Sequence, residues 1–549
     1  MDTTDRLAEL RKKEEEELAQ VLAQRHKIPY LDLSKMTVDL DSLKLIPETD
    51  ARANSMAVIQ SVGKKLQVAL TNPDRPGVED ALDNLKRRKY EVQIFLVSPT
   101  GLDKAFSKYK EIPRFEETKV GIIDISKSKL ESYGAALHSI SNFKKALLAA
   151  REKDVRKASD TLELLFAGAL DADASDVHIE AEVASAKIRL RIDGVLQDIV
   201  DIPTPLYQLL LSRIKLLSEV KLNIRDKPQD GRFTIKTASE DVEVRTSFLP
   251  GPFGESIVMR LLLPKTISIK YESLGMQPAL YEMMKVELLR PNGMILVTGP
   301  TGSGKTTTLY AFLKSISSAE VKVITIEDPI EYHIAHITQT QIDPSKGYDF
   351  VNGLRSILRQ DPDIILVGEV RDLETAQIAM HAALTGHLVF STLHTNDAAG
   401  TVPRLIDLGV KVNVISPALN IAMAQRLTRQ LCSFCKRADK PTDEETALFE
   451  KTAKIIPEPF KAGLPKEITV FRPVGCEKCA ETGYKGRIGV FEAFLVDDEM
   501  ERLIITSPPA ADVQALAIKK GMLTLYQDGI IKIMQGVTTL EELNRVASE

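Results

Sequence analysis

Long apolar runs are absent from this sequence of 549 residues. No segment approaches the roughly 20 consecutive apolar residues that a membrane-spanning helix requires. The first twenty residues are dense in charge and lack the apolar core of a signal peptide. We therefore expect a cytoplasmic protein that contacts a membrane only through partners.

Cysteine is scarce. The four cysteines form two C-x-x-C pairs, Cys432 with Cys435 and Cys476 with Cys479. In a reducing compartment this spacing indicates metal binding before disulfide formation. The two pairs supply four thiolates for a tetrahedral zinc site, which has no open coordination position and is therefore structural. A redox pair is the alternative, but it would not require two matched units.

A basic excess is also missing, because the formal net charge is −5. Segment 478–487 has three cations but a single aromatic residue, Tyr484, so it matches the surfaces that bind single-stranded nucleic acid only weakly. We expect no direct binding of nucleic acid. The hydrophobic fraction (44%) and the charged fraction (27%) are those of an ordinary soluble protein.

The chain is too long for one hydrophobic core and should divide into several domains. Strand-like apolar runs alternate with helical segments in 273–549, which predicts a parallel sheet with helices on its faces. This last domain would include a cysteine-containing subdomain (430–487) and C-terminal helices (492–549). The preceding segments are predicted as a small α/β domain (1–110), a linker (111–154), an α+β domain (155–262) and a second linker (263–272).

A complete G-x-x-x-x-G-K-[ST] motif at 299–306 follows an apolar strand and opens a helix, which is the context that this motif needs. Its backbone amides and the helix N-terminus favour phosphate. Lys305 should reach the β- and γ-phosphates, and the Thr306 hydroxyl should bind Mg²⁺. The predicted nucleotide-binding residues are Gly299, Pro300, Thr301, Gly302, Ser303, Gly304, Lys305, Thr306 and Thr307.

Carboxylates at two strand ends are the candidates for hydrolysis. Glu369 directly follows an apolar strand and can orient or deprotonate the attacking water. The turn after the preceding apolar strand could order Mg²⁺ or its waters. Its three acids are Glu327, Asp328 and Glu331. Acidic turns are common, so this second signal is weak by itself.

Histidines and arginines complete the set of catalytic candidates. His387 and His394 flank one apolar strand, and one of them is a candidate sensor of the γ-phosphate; a core histidine is the alternative. Phosphoryl transfer also needs cations against the developing charge. The candidate arginines are Arg245, Arg260, Arg355, Arg359 and Arg371. For any single arginine, a surface or interface ion pair is the alternative.

Taken in order, the motifs resemble one family over nearly the whole chain, the motor ATPases of type II secretion and type IV pilus assembly. They are 175–180 (SDVHIE), 191–196 (RIDGVL), 228–232 (PQDGR), 299–306, 327–332, 358–363, 367–372 and 384–396. The resemblance implies ATP hydrolysis by a RecA-like P-loop ATPase domain. A PAS-like α+β domain precedes it, with a small N-terminal α/β domain and a four-cysteine zinc subdomain.

The same resemblance implies partners and residue roles. It implies a homohexamer whose N-terminal domain docks onto a partner at the inner membrane, and whose hydrolysis rotates a membrane platform protein that adds pilin subunits. Arg245 and Arg260 match the arginines that family members bring to the γ-phosphate. Three others, Arg355, Arg359 and Arg371, match arginines near the nucleotide or the subunit contact.

Two features depart from the family pattern. Members that bind cyclic di-GMP carry an N-terminal Arg-Leu-Gly signature, whereas this chain has an alanine, Ala8, in the glycine position, so we do not expect that ligand. The usual Gly-Glu-Arg segment ends here in Ser256, which removes one cation but leaves Arg260. Retraction motors lack the first 150 residues and the cysteines, so an assembly motor is favoured.

Two other functions stay open at this point. A nucleic-acid translocase on a related ring is opposed by the acidic charge balance, and it would bind single strands in a salt-dependent way. A regulatory subunit that binds ATP without rapid turnover is opposed by intact Lys305, Thr306 and Glu369. Pilus assembly motors and secretion motors share these motifs and are not distinguished.

Overall fold

The computed structural model divides into two compact units, Met1–Thr118 and Lys119–Glu549. The division falls inside the predicted linker 111–154. No helix in the described part of the chain is both long enough and apolar enough to cross a bilayer. The structure describes residues 3–33, 36, 38–43, 45–62, 64–87, 90–109, 121–125, 133, 139–152, 158–237, 240–263, 269–462, 464–465 and 467–547.

The first unit packs helices around a three-stranded sheet, which is the small α/β fold predicted for this region. Its helices are α1 (Thr3–His26), α2 (Leu40–Leu43), α3 (Glu48–Asn54), α4 (Val78–Arg87) and α5 (Pro99–Lys108). Its strands are β1 (Met56–Val62), β2 (Lys65–Leu70) and β3 (Glu91–Leu96). β2 pairs antiparallel with β1 and parallel with β3.

The second unit begins with a seven-stranded sheet in the order β4-β8-β9-β10-β5-β6-β7, antiparallel except for the parallel pair β4 and β8. Its strands are β4 (Ile122–Asp124), β5 (Asp176–Ala181), β6 (Ser185–Ile192), β7 (Val195–Pro203), β8 (Gln229–Lys236), β9 (Asp241–Gly251) and β10 (Gly254–Leu262). Its helices are α6 (Ile140–Glu152), α7 (Ala158–Asp171) and α8 (Thr204–Leu217).

One face of this sheet packs against the helices to form the hydrophobic core. Every second residue of β6 is buried, because neighbouring side chains of a strand point to opposite faces. Phe166 of α7 and Leu210 of α8 are fully buried in the same core. The other face of the sheet is therefore free to carry polar residues.

Part of the segment predicted as a linker, 111–154, belongs to this core. β4 pairs with β8, and Phe143 and Leu147 of α6 are buried, since these apolar side chains need a partner surface. Of the same segment, 111–120, 126–132, 134–138 and 153–154 lie outside the described residues.

Seven of the nine remaining strands form a second seven-stranded sheet, in the order β13-β12-β14-β15-β11-β16-β19. All neighbours are parallel except β16 and β19. The strands are β11 (Gly293–Thr298), β12 (Val323–Glu327), β13 (Thr338–Gln341), β14 (Ile364–Val367), β15 (Leu388–Leu393), β16 (Leu419–Leu431), β17 (Arg437–Asp439), β18 (Val470–Arg472) and β19 (Tyr484–Leu495). β17 and β18 pair separately, in the cysteine-containing subdomain.

Helices cover both faces of the parallel sheet, so β11, β12, β14 and β15 are buried at every residue. The helices are α9 (Pro278–Leu288), α10 (Lys305–Ile316), α11 (Phe350–Ile357), α12 (Leu373–Leu384), α13 (Thr401–Asp407), α14 (Val412–Ala418), α15 (Asp443–Ile455), α16 (Glu458–Lys461), α17 (Asp498–Ile505), α18 (Ala510–Lys519), α19 (Leu525–Met534) and α20 (Leu540–Val546). The C-terminal helices predicted for 492–549 begin at Asp498, because β19 continues to Leu495. This architecture confirms the predicted α/β fold.

Candidate active site

A cleft of about 450 Å³ opens at the carboxyl ends of the parallel strands, the edge at which such sheets bind ligands. The phosphate loop, two acidic segments and the last three residues of β10 in the antiparallel sheet line it. The predicted residues that line the cleft are Thr301, Gly302, Ser303, Gly304, Lys305, Thr306, Thr307, Glu327, Asp328, Glu331, Glu369, Arg371, His394 and Arg260.

The phosphate loop connects β11 to α10, and its backbone explains its glycines. Gly299 has a φ of +146°, and a Cβ atom there would lie 2.6 Å from the carbonyl oxygen of Gln425. Glycine is therefore required at this position. The hydroxyl of Ser303 is buried, and no described residue gives it a hydrogen-bond partner. A buried, unpartnered hydroxyl fits a loop that wraps a phosphate group.

Lys305, the first residue of α10, is buried. Its ammonium group donates hydrogen bonds to the carbonyl oxygens of Gly299 (2.7 Å) and Pro300 (3.1 Å). Burial lowers the pKa of Lys305 to about 8, although the Glu369 carboxylate acts in the opposite direction. The loop thus holds a desolvated cation for which a polyphosphate would be a favourable counter-charge.

Glu369 follows the end of β14, and its side chain is only 13% exposed. Its carboxylate forms an ion pair with Arg371 and lies 3.5 Å from Nε2 of His394. A Cβ atom at the preceding residue, Gly368, would lie 3.3 Å from Cα of Glu327. This close approach of two strand ends explains the glycine and places Glu369 beside the acidic turn.

The acidic turn is fixed by Glu327, the last residue of β12. Its buried carboxylate accepts hydrogen bonds from the hydroxyl groups of Tyr310 and Thr325, the latter at 2.5 Å. The amide of Gln339 donates a third, at 3.2 Å. Since these donors occupy most of the carboxylate, Glu327 orders the turn that presents Glu331.

Two arginines reach the site from the antiparallel sheet. Arg245 of β9 lies 3.2 Å from the Glu331 carboxylate and also donates to the carbonyl oxygen of Ile330. Arg260 of β10 lines the cleft, and its Nε donates to Oδ1 of Asp176 at 3.0 Å. Arg260 therefore lines the nucleotide cleft of its own chain, whereas Arg245 contacts the acidic turn beside it.

Six predicted residues do not line the cleft. Gly299 and Pro300 begin the phosphate loop and Arg245 contacts the acidic turn, whereas His387, Arg355 and Arg359 lie farther away. His387 precedes β15, a strand of six residues, so about 20 Å of strand separates it from His394. Arg355 pairs with Glu374 of α12 at 2.6 Å, and Arg359 lies beside it on the exposed surface. The structure thus brings His394 to the site and leaves His387 at the opposite edge of the sheet.

The sequence motifs did not identify three residues near the cleft as functional. Arg487 of β19 lines it only because β19 pairs with β16, which is next to the phosphate-loop strand. Tyr332 also lines it, with its hydroxyl 3.5 Å from Oγ1 of Thr307. Asp176 lies in the SDVHIE motif, which pointed to the family but to no chemical role. These positions depend on strand pairing, which no local motif encodes.

The four cysteines form one cluster, with all Sγ atoms within 4.8 Å of one another. The distances are 3.9 Å between Cys432 and Cys476, 3.8 Å between Cys435 and Cys479, and 3.7 Å between Cys476 and Cys479. A tetrahedral zinc ion with Zn–S bonds of about 2.3 Å would place the sulfurs about 3.8 Å apart. The amide of Gly483 also donates to Sγ of Cys479 at 3.2 Å. The cluster fits a four-thiolate zinc site.

Comparison with protein families gives two matches. Residues 151–545 match the family described as type II/IV secretion system protein. Residues 26–115 match the MshEN domain. Together the two matches span most of both units.

Individual relatives agree with the first match. The type IV pilus assembly ATPase PilB of Myxococcus xanthus is 36% identical over 535 residues, which cover 96% of this chain and 91% of that protein. The type II secretion system ATPase E of Vibrio cholerae is 43% identical over 390 residues, which cover 71% of this chain and 75% of that protein. The structure of the ATPase DotB of Legionella pneumophila aligns with a TM-score of 0.50 at 20% identity, covering 70% of this chain and 94% of that one, which shows a shared fold.

Proposed function

Because this chain belongs to the type II/IV secretion system protein family, we propose that it couples ATP hydrolysis to the assembly of a type IV pilus or a type II secretion pseudopilus. One observation carries the proposal: a complete phosphate loop and Glu369 line the same cleft. An ATPase must bind ATP, which the phosphate loop would do, and activate the attacking water, which Glu369 would do.

The geometry supports a role for each group. Lys305 and the loop amides hold the phosphates, and the hydroxyl of Thr306 would hold Mg²⁺, whose charge offsets that of the phosphates. Glu369 orients the attacking water and accepts its proton as ATP is converted to ADP and phosphate. Arg245 and Arg260 supply positive charge against the charge that develops on the transferred group.

We also propose that the cysteine cluster holds a structural zinc ion. Metal analysis of the purified protein should find about one zinc per chain. The variant Cys479→Ser should lose it and lower the melting temperature. If the zinc-free wild-type protein melted at the same temperature as the zinc-bound protein, this structural role would be contradicted.

The proposed assembly is a homohexamer at the cytoplasmic side of the inner membrane. The N-terminal unit would bind a docking partner, and the ring would act on a membrane platform protein. Arg355 and Arg359 are exposed in the single chain, so they remain candidates for the contact between subunits. Neither nucleic acid nor cyclic di-GMP is part of this proposal.

Mg²⁺-dependent ATP hydrolysis by size-fractionated protein tests the proposed function. Turnover should be concentrated in the hexamer fraction, and Glu369→Gln should bind ATP but lose about 100- to 10,000-fold in rate. The exposed Glu282→Gln serves as a charge-matched control. A wild type that is inert at every size would contradict the function, whereas normal hydrolysis by Glu369→Gln would transfer its role to Glu331.

A further inference from the structure

A row of charged residues crosses five neighbouring strands of the antiparallel sheet. Directly opposite one another are Arg232 on β8, Arg245 on β9, Arg260 on β10, Asp176 on β5 and Arg191 on β6. Residues in register lie on the same face, with Cβ atoms about 5 Å apart. One face of this sheet therefore presents four arginines and a single carboxylate in a line whose middle residue, Arg260, lines the ATP cleft.

Like charges directly opposite one another destabilise a sheet unless anions lie between them. Arg245 has such an anion in Glu331, which comes from the acidic turn. Arg260 has Asp176, which comes from within the row. Without Asp176, the guanidinium of Arg260 would have Arg245 on one side and no counter-charge from its own sheet on the other.

Asp176 is held firmly. Its side chain is only 6% exposed, and its Oδ1 accepts the hydrogen bond from Nε of Arg260 at 3.0 Å. Its Oδ2 accepts from the hydroxyl of Ser175 at 2.8 Å and lies 3.5 Å from Nε of Arg191. A buried carboxylate with partners on both oxygens has one orientation and so provides a fixed attachment point.

Arg260, by contrast, is 56% exposed, and a long exposed side chain samples many rotamers unless a partner orders it. Asp176 binds Nε, the nitrogen nearest the chain. Among the described residues, the structure shows no further hydrogen bond of Arg260. The two terminal nitrogens of its guanidinium are thus left for a phosphate.

We propose that Asp176 is a positioning residue for ATP hydrolysis, which holds Arg260 by Nε and presents its terminal guanidinium nitrogens to the phosphates. The inference rests on the proposed function. A donor that is in place before charge develops lowers the barrier more than one that must first be ordered. The SDVHIE motif (175–180) thereby receives a chemical role.

Steady-state kinetics and ATP binding by the full-length chain test this inference in a double-mutant cycle. Asp176→Asn keeps the size of the side chain but removes its charge, and it should lower kcat about 10- to 100-fold with an ATP Kd within threefold of wild type. Arg260→Gln should lower kcat at least as much. The double variant should match Arg260→Gln, because two groups that act as one unit give non-additive losses.

Glu180→Gln is the matched control. Glu180 lies four residues along the same strand, pairs with Arg189 and does not line the cleft, so this variant should hydrolyse ATP like wild type. A normal kcat for Asp176→Asn, or losses that multiply in the double variant, would overturn the inference while leaving the proposed function intact. An inert wild type would overturn the proposed function and this inference with it. A fully active Arg260→Gln would overturn the role assigned to Arg260 and, with it, this inference.

Should Asp176→Asn fail to fold, Ser175→Ala decides the question, because it removes only a hydroxyl. This hydroxyl donates to Asp176 at 2.8 Å and lies 3.3 Å from the carbonyl oxygen of Arg191. The variant should lower kcat a few-fold in the wild-type background, about the effect of one lost hydrogen bond, and have no effect in the Arg260→Gln background. An equal loss in both backgrounds, or none in either, would overturn the proposal.

Discussion

The two seven-stranded sheets that meet at the ATP cleft present their functional residues differently. In the parallel sheet the strands are buried throughout, so polar groups appear where strands end: the phosphate loop after β11, Glu369 after β14 and His394 after β15. In the antiparallel sheet one face is solvated, so Arg245 and Arg260 lie within strands rather than after them. We propose that strand ends hold the nucleotide and that a strand face supplies charge to it.

This difference suggests a division of labour. Groups at strand ends would surround the phosphates and the attacking water, so their loss should affect ATP binding or the chemical step itself. Arginines on the strand face belong to the other sheet, so their loss should affect turnover more than ATP affinity. The variants below separate these two effects.

Lys305→Ala should have the largest effect of the binding variants. It removes a buried charge from the phosphate loop, and ATP affinity should fall about 100-fold or more. Calorimetric titration with MgATP measures this loss. Lys314→Ala, on the same helix but exposed, is the control. Unchanged affinity in Lys305→Ala would remove the phosphate loop from the binding site.

Arg245→Ala should lower kcat about 10- to 100-fold, as expected for the loss of a charged hydrogen-bonding group. ATP affinity should stay within threefold of wild type. The neighbouring Arg232→Ala, on the same row but with no ion pair to the acidic turn among the described residues, should have a smaller effect. A rise in Kd by the same factor as the fall in kcat would argue against the division of labour.

The two histidines at opposite ends of β15 should differ. His394→Ala should lower kcat about fivefold, because it removes a polar neighbour of Glu369. His387→Asn should stay within twofold of wild type in the same assay, since the asparagine amide can replace the contact to the backbone of α12. Equal losses in both variants would indicate a structural role for each.

The pH dependence of ATP affinity should be the smallest effect. Burial lowers the pKa of Lys305 to about 8, and the ammonium form binds phosphate, so affinity should fall as pH rises through this value. Between pH 7.5 and 8.5 the protonated fraction falls about threefold. Lys305→Arg keeps its charge over this range and should give a flat profile. An identical decline in both proteins would assign the pH dependence to another group.

The strand-end half of the site could be predicted from the sequence because each motif is contiguous. The context of the phosphate loop, between an apolar strand and a helix, also follows from local patterns. The row containing Asp176 could not be predicted, because strand register assembles it from distant segments. His387 illustrates the same limit: its motif resembled that of His394, and only the direction of β15 separates them. The apolar residues of α6 were predicted to belong to a linker, because the sequence does not show the core of the antiparallel sheet in which they are buried.

The most direct test of the division of labour is the variant that carries both Arg245→Gln and Arg260→Gln. Its Kd for MgATP and its single-turnover hydrolysis rate should be measured beside those of Glu180→Gln, from the same sheet. We expect a Kd within threefold of wild type and a hydrolysis rate at least about 100-fold lower. A Kd that weakens in proportion to the rate would contradict the division of labour, because the antiparallel sheet would then contribute to binding as much as to catalysis.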